Sequence, residues 1–206
     1  RKRDEAVFAK GSRTQILLIT DREVPLYREI YGTEPERFHL LPPNIDRRTF
    51  SESDRESARL AKLAELGQAA DTTLLLMVGS GFRTKGVDRA IEGLAKLQST
   101  ESNKTQLVVV GHGKPDSYQR LARSLGVGDR VHMLGGRADV HEWMLAADLL
   151  VHPARNENTG TVLLEALANG LPLLVSDVCG YAFHIERANA GRLVPSPFSQ
   201  TQFNQL

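Results

Sequence analysis

The sequence is poor in the features that mark secreted and membrane proteins. It holds one cysteine in 206 residues, which excludes a disulfide framework and favours a reducing compartment. It has no signal peptide, and no apolar run approaches the roughly 18 residues of a membrane-spanning helix. These absences predict a cytoplasmic protein.

An excess of charge of either sign is also missing. The 26 Lys and Arg residues are matched by 25 Asp and Glu residues, so the formal net charge is +1. Nothing in this balance predicts a nucleic-acid partner. The chain begins with Arg1 and not with methionine, so we expect it to be part of a longer protein.

Several catalytic patterns are absent as well. The six histidines show no ligand pairs, and no Asp-x-Asp occurs, although a divalent ion that bridges a diphosphate often uses that pattern. We therefore expect no metal and no cofactor. No Gly-x-Ser-x-Gly occurs, and we expect Cys179 to be a small buried residue in a turn and not a thiol nucleophile.

The sequence does contain an alternation of apolar runs and helix-like segments. Five runs are mainly apolar and do not alternate with polar residues, which is typical of strands buried on both faces of a parallel sheet. They are TTLLLMVG, TQLVVVG, DRVHMLG, ADLLVHP and GLPLLVS. Helical patterns such as GVDRAIEGLAKL separate them. The alternation predicts an α/β fold with a doubly wound parallel sheet.

The first 43 residues differ from the rest. They are more charged, contain the strand-like runs QILLIT and RFHLLPP with a short helix between them, and end at a Pro-Pro pair. We interpret residues 1–43 as the tail of a preceding domain with its linker, and residues 44–206 as the main domain. The main domain is predicted to begin with a loop at 44–50 and an amphipathic helix that is capped by Ser51.

The loop VGSGFRTKG follows the first strand of the main domain. Ligands of doubly wound sheets bind beyond the carboxyl ends of the strands, and a glycine-rich loop before a helix can bind phosphate. Lys85 and Arg83 would add positive charge. The P-loop fingerprint fails because Lys85 precedes Gly86, and the dinucleotide fingerprint fails at Thr84. An ordinary strand-to-helix turn remains the alternative.

The segment RNENTGTVLLEALANG joins a polar loop to a helix that is apolar on nearly every side. Glu165 inside this helix is costly unless it is hydrogen-bonded or paired. A sugar diol could donate to it, and Glu157 could bind the hydroxyls of a second sugar. The alternative is structural, with Glu165 in a salt bridge to an arginine and Glu157 as a partner of the helix dipole.

The start of this helix is an anion site in its own right. N–H groups at Gly160, Thr161 and Val162 could hold a diphosphate between the two carboxylates. The order of sugar, diphosphate and ribose is the shape of a nucleotide sugar.

Two carboxylates eight residues apart in this setting resemble the Glu-x7-Glu signature of the retaining glycosyltransferases of family 4, which have the two-domain GT-B fold. The segments LPPNID, LLMVGSGFRTKGVDR, LVVVGHGKPD and MLAADLLVHPA are similar to that family in the same order. The resemblance implies that residues 44–206 are the Rossmann-like donor-binding half of a GT-B fold, truncated at its C-terminus. Four segments, TEPERF, GFRTKGVDR, VCGYAFHI and PFSQ, are similar to lipopolysaccharide core glucosyltransferases that act on the inner-core heptose.

The resemblance implies a role for each matching residue. Glu157 would hold hydroxyls of the donor hexose, Lys85 would pair with the diphosphate, and Glu165 would hold the ribose diol. We expect Glu157 and Lys85 to act in catalysis. Backbone groups complete the set: Gly160 and Thr161 at the sugar and diphosphate, with Val162 beside them, and Arg137 at the base.

This sequence departs from the family pattern at two places. Relatives commonly have an arginine five residues before the lysine, where Ser80 stands here, and Arg83 would be its substitute. Asn158 and Thr159 stand beside the hexose at positions that are often small or apolar in relatives. They could change the sugar chosen, for example to an N-acetylhexosamine.

The implied activity is transfer of a hexose from a UDP-sugar to the inner-core heptose of lipopolysaccharide, with retention of configuration and without a metal. The acceptor would bind to the N-terminal domain, so this chain alone is expected to bind the donor and barely transfer. The parent protein would associate peripherally with the inner face of the inner membrane. A UDP-sugar-binding or epimerase-like protein of the same fold remains the alternative.

Overall fold

A computed structural model describes residues 2–41, 43–45, 50–97 and 104–206. The chain divides into two units, Arg1–Asn44 and Ile45–Leu206. The predicted division after residue 43 lies one residue from this boundary, while the origin of the first unit stays a prediction. Most of the loop predicted at 44–50 lies outside the described residues.

The described residues of the first unit form two α-helices and two strands, besides a 3₁₀ turn at Pro35–Arg37. They are α1 (Lys2–Phe8), β1 (Ile16–Leu18), α2 (Val24–Tyr31) and β2 (Phe38–Leu40). The strands pair in parallel, as a strand–helix–strand unit requires. Gly32 ends α2 because its φ of 66° turns its N–H back to the carbonyl of Arg28. The predicted strand–helix–strand order is confirmed.

The second unit is built on a six-stranded sheet in which every pairing is parallel, in the order β5-β4-β3-β6-β7-β8. The predicted α/β class and doubly wound sheet are confirmed. The strands are β3 (Thr73–Val78), β4 (Thr105–Val110), β5 (Val131–Gly135), β6 (Leu149–His152), β7 (Leu173–Ser176) and β8 (Gly191–Val194). The helices are α3 (Glu52–Glu65), α4 (Phe82–Lys85), α5 (Val87–Lys96), α6 (Asp116–Ser124), α7 (Val140–Ala146), α8 (Thr161–Ala168), α9 (Ala182–Ala188) and α10 (Gln200–Phe203).

Ser51 caps α3 as predicted. Its Oγ accepts a hydrogen bond from the N–H of Asp54, and the Asp54 carboxylate accepts one from the N–H of Ser51. This reciprocal capping box satisfies two donors that a helix start leaves unpaired. Within the described residues, no helix has the length and apolar content needed to cross a membrane.

Helices cover both faces of the sheet, which explains the continuous apolar runs. Alternate residues of β3 belong to different cores, with Leu74 and Leu76 in one and Met77 in the other. The first core includes residues of α7, α8 and α9, and the second includes residues of α4, α5, α6 and α10. Each strand must therefore be apolar on both sides.

The strand order reverses beside β3. The chain runs from β3 outward to β4 and β5, and then returns to place β6 on the other side of β3. The loops that follow β3 and β6 therefore lie next to each other at the carboxyl edge of the sheet. In open α/β sheets this crevice is where ligands bind.

Candidate functional site

The glycine-rich loop after β3 uses part of its backbone within the protein. The N–H of Gly79 donates to the carbonyl of Val110 at 2.9 Å, and the N–H of Gly81 donates to the carbonyl of His112 at 3.1 Å. Two of the amides that a phosphate loop would offer are therefore already bonded. The charge that this loop presents to the crevice comes from Lys85, at the end of α4.

Ser80 and Arg83 occupy different surroundings from Lys85. The exposed Ser80 accepts a hydrogen bond at its Oγ from the N–H of His112, which ties the loop to its neighbour. Arg83 lies two residues before Lys85, about 200° around the helix, and its charge acts on Tyr118. The structure does not bring Arg83 beside Lys85. Its role as a substitute for the family arginine stays a prediction.

Lys85 and Glu157 meet in the crevice between β3 and β6. The Lys85 ammonium pairs with Oε2 of Glu157. Both side chains are largely buried, with 20% of Lys85 and 12% of Glu157 exposed. The sequence placed these residues at the diphosphate and the hexose of one donor, but it did not predict their direct contact.

A buried histidine completes this cluster. His152 ends β6 with none of its side chain exposed, and its Nε2 lies 3.4 Å from the same Oε2 of Glu157. The hydrogen bond from His152 and the pairing with Lys85 lower the pKa of Glu157 to about 2, against the effect of burial. Sequence reasoning missed His152. Its signal was a polar residue that ends an apolar strand five positions before Glu157.

Arginines attach the loop after β6 to α4 and α5. The N–H of Arg155 donates to the carbonyl of Thr84 at 2.8 Å, and its guanidinium binds both oxygens of Asp88 at 2.6 and 2.7 Å. Arg89 donates to the carbonyl of Pro153 at 3.0 Å. A bidentate guanidinium–carboxylate pair is geometrically specific, so these contacts hold the segment of Glu157 against the segment of Lys85.

The VCGY segment fixes the same loop from the other side. Gly180 donates to the carbonyl of Glu157 at 3.2 Å, and Tyr181 donates to the carbonyl of Thr159 at 2.8 Å. A Cβ on Gly180 would lie 2.0 Å from the carbonyl oxygen of Asn158, so only glycine fits. Backbone contacts thus place the exposed Asn158 and the half-buried Thr159 beside Glu157.

The first turn of α8 presents unpaired donors. Gly160 caps the helix with a φ of 80°. The N–H groups of Gly160, Thr161 and Val162 have no acceptor in the described part of the chain. A helix start with unpaired amides carries positive partial charge, so this turn can receive an anion.

Glu165 lies one turn further along α8, four residues after Thr161. It is half-buried, and in residues 2–41, 43–45, 50–97 and 104–206 its carboxylate has no hydrogen-bond or ion-pair partner. Burial raises its pKa. The salt bridge to an arginine that the structural alternative required is not found there. Glu165 is a half-buried acceptor that a donor from outside the protein can satisfy.

The remaining predicted residue, Arg137, follows β5. Its guanidinium binds both oxygens of Asp139 at 2.8 and 2.7 Å and lies 3.1 Å from Glu65. These contacts, the hydrogen bonds to Asp139 above all, raise the pKa of Arg137 above its usual value. The side chain is committed to the protein, which fits the expectation that only its backbone would meet a ligand.

The remaining groups of chemical interest are possible metal ligands and the single cysteine. Among the described residues, no three His, Cys, Asp or Glu side chains converge as metal ligands would. Cys179 is 3% exposed in the turn after β7, as expected for a packing residue. The crevice therefore offers one paired carboxylate, one unpaired carboxylate, a lysine and a helix start.

Comparisons with known proteins show the family of this chain. Residues 59–206 match the family described as glycosyl transferases group 1. The chain is 46% identical over 204 residues to the lipopolysaccharide glucosyltransferase WaaG of Escherichia coli K12. The aligned region covers 98% of this chain and 54% of that protein. The chain is also 30% identical over 191 residues to a D-inositol 3-phosphate glycosyltransferase of Jonesia denitrificans, with 88% and 45% covered. The chain spans about half the length of these curated relatives.

Solved structures show the same fold. The crystal structure of WaaG, a glycosyltransferase involved in lipopolysaccharide biosynthesis, matches 98% of this chain and 54% of its own with a TM-score of 0.90 at 46% identity. Anabaena HepE in complex with UDP-glucose matches 95% of this chain and 53% of its own with a TM-score of 0.77 at 22% identity. The second likeness concerns the fold alone.

Proposed function

We propose that this chain, which belongs to the group 1 glycosyl transferases, binds the UDP-sugar donor of a hexosyltransferase. That hexosyltransferase acts on the lipopolysaccharide core. The observation that carries the proposal is the convergence of Lys85, Glu157 and the start of α8 where the strand order reverses. The 46% identity to WaaG, a lipopolysaccharide glucosyltransferase, supports the acceptor class.

The donor fits this crevice in one order. The diphosphate lies between Lys85 and the N–H groups at the start of α8, because both carry positive charge. The hexose lies against Glu157 and the ribose against Glu165. A ribose diol supplies the two donors that the unpaired Glu165 carboxylate needs. The backbone of Arg137 meets the base.

The reaction leaves negative charge on the departing nucleoside diphosphate. Lys85 and the helix start stabilise that charge, and they are fixed in place before reaction, which is the condition for strong electrostatic catalysis. We propose that this cationic set makes a metal unnecessary. Transfer proceeds with retention of configuration to an inner-core heptose, and we assign no protein nucleophile.

The choice of hexose depends on Asn158 and Thr159. Both stand beside Glu157 with polar side chains, which can donate to and accept from a substituent such as an acetamido group. We propose that they select between UDP-glucose and a UDP-N-acetylhexosamine. Calorimetric titration of the 206-residue chain with both donors tests this, and equal affinities would contradict it.

The acceptor half of the reaction lies outside residues 44–206. We propose that a further domain binds the acceptor, that the parent protein works in the cytoplasm at the inner face of the inner membrane, and that this chain alone binds the donor with little transfer. The coverage of 54% of WaaG supports a two-domain parent.

Donor binding is tested with two substitutions and two matched controls. Lys85→Ala is expected to weaken UDP binding, and Glu165→Ala is expected to weaken it about tenfold, since each removes a charged hydrogen-bonding partner. The exposed Lys96→Ala and Glu186→Ala variants should bind UDP as the unchanged chain does. Calorimetry with UDP, UDP-glucose and NAD provides the measurement. Binding of NAD, or unchanged UDP affinity in both site variants, would refute the assignment.

A further inference from the structure

His152 is the most deeply buried polar group near the proposed donor site, and the proposed function gives it no role. It is 0% exposed at the end of β6. Its Nδ1 has no hydrogen-bond partner in the described part of the chain, so its one polar contact is the 3.4 Å approach of Nε2 to Glu157. A buried imidazole with one partner is costly, and an apolar residue would fill the same space at lower cost.

In the contact between His152 and Glu157, the donor and the acceptor can be assigned. The Glu157 carboxylate accepts hydrogen bonds, so Nε2 of His152 is assigned as the donor, while Nδ1 has no hydrogen-bond partner in the described residues. His152 is thus a side-chain hydrogen-bond donor to Glu157.

Lys85 and His152 approach the same oxygen of Glu157. In the proposed donor complex the ammonium of Lys85 pairs with the diphosphate, which carries more negative charge than one carboxylate. Glu157 then loses its ion-pair partner. Among the described residues, His152 is the remaining side-chain donor to that carboxylate.

We infer that His152 is a positioning residue that holds the Glu157 carboxylate against the donor hexose while Lys85 is engaged by the diphosphate. This inference rests on the proposed function. Glu157 stands on a loop, and the hydrogen bond from a rigid strand end keeps its carboxylate in place for the sugar once Lys85 has moved its charge to the diphosphate. Pre-fixed geometry of this kind increases affinity by lowering the ordering cost of binding.

Two substitutions separate positioning from packing. His152→Leu keeps an apolar side chain of similar size and removes the donor, whereas His152→Gln keeps an N–H that can donate to Glu157. We expect His152→Leu to weaken UDP-glucose binding about tenfold, as loss of a hydrogen bond to a charged group does. UDP has no hexose, so its affinity should change less than about twofold, within the scatter of neutral changes.

Further measurements make the comparison decisive. His152→Gln should restore most of the UDP-glucose affinity. Glu157→Gln should show the same selective loss, and the double variant with His152→Leu should lose little more, because both changes remove one interaction. His132→Leu, at a half-buried histidine that contacts Gln106 in the same sheet, should leave the ratio of the two affinities unchanged.

The outcomes distinguish the inference from the function beneath it. Wild-type UDP-glucose affinity in His152→Leu, or equal losses for UDP and UDP-glucose, would overturn the positioning role and leave the donor site intact. Failure of the unchanged chain to bind either ligand would overturn both proposals. Thermal unfolding of each variant checks that it is folded. If His152→Leu is unfolded, the ratio of the UDP-glucose and UDP affinities of His152→Gln decides. A selective loss of UDP-glucose affinity in His152→Gln would overturn the role of the donated hydrogen bond.

Discussion

Gly86 joins α4 to α5 and is a point where the Lys85 segment contacts the segment leading to Glu157. Its φ is 75°, and a Cβ added there would lie 2.1 Å from the carbonyl oxygen of Pro153. Gly81, at the other end of α4, also has a φ of 75°, but a Cβ there would meet nothing within 4 Å. Alanine at these two glycines therefore separates backbone strain from a steric collision.

The loss of stability should differ between Gly81→Ala and Gly86→Ala, and the structure gives the size of the difference. A left-handed backbone costs an alanine roughly 1 kcal/mol at both positions. At Gly86 the Pro153 carbonyl, which accepts a hydrogen bond from Arg89 at 3.0 Å, must also shift by about 1 Å. Such overpacking adds about 2 kcal/mol. At about 3 °C per kcal/mol for a domain of this size, we expect Tm to fall by about 3 °C in Gly81→Ala and about 9 °C in Gly86→Ala.

Thermal unfolding of the two variants side by side measures this difference, and UDP-glucose titration adds a functional reading. Pro153 begins the loop that carries Glu157, so its displacement should disturb the contact of Glu157 with Lys85. Gly86→Ala should therefore also weaken UDP-glucose binding, and Gly81→Ala should weaken it less. Equal losses of Tm would show that the close approach to Pro153 is not a constraint, and the reasoning would fail.

Two further predictions concern charge. Glu157→Gln should lower Tm at pH 7, because the Glu157 carboxylate has a folded pKa of about 2 and stabilises the fold above pH 4.5 by up to about 3 kcal/mol. This stabilisation is lost as the pH falls from 4.5 towards 2. Glu165→Gln should raise Tm at pH 7 and leave it unchanged at pH 3, because burial raises the pKa of Glu165 and its charged form destabilises the fold only above pH 4.5. Melting curves of both variants at both pH values measure these shifts. Tm shifts of the same sign for Glu157→Gln and Glu165→Gln at pH 7 would contradict the two predictions. Lys62→Met removes an ammonium that is 6% exposed and 2.5 Å from Asp139, so urea unfolding should show a loss of about 2 kcal/mol, as for a hydrogen bond between charged groups. The loss should be larger than for the half-exposed Lys104→Met, and equal losses would contradict this.

The strands of the main sheet differ in how well the sequence predicts them. β3 to β7 follow from continuous apolar runs, since burial on both faces requires them. β8 was not predicted because its four residues, Gly191–Val194, include an exposed Arg192 and begin with glycine. Pairing with β7 makes this segment a strand, and no local pattern marks it.

The candidate site also has features that the sequence predicts and features that it does not. The unpaired donors of Gly160, Thr161 and Val162 follow from the start of a helix, which is a local event. The contact of Lys85 with Glu157 joins residues 72 positions apart, and the sequence did not indicate it. His152 looked like a lone histidine, because its importance depends on a carboxylate that a turn of the loop brings back to it.

By itself, the sequence determined the elements and the local chemistry. Apolar periodicity decided which segments are helices and strands, and spacing along one helix placed Glu165 four residues after Thr161. Only the tertiary structure decided that β6 lies beside β3, that Lys85 and His152 share one oxygen of Glu157, and that Glu165 has no partner in the described residues. The physical reason is that strand order and charge pairing depend on packing between distant segments, whereas periodicity and capping depend on neighbours within a few residues.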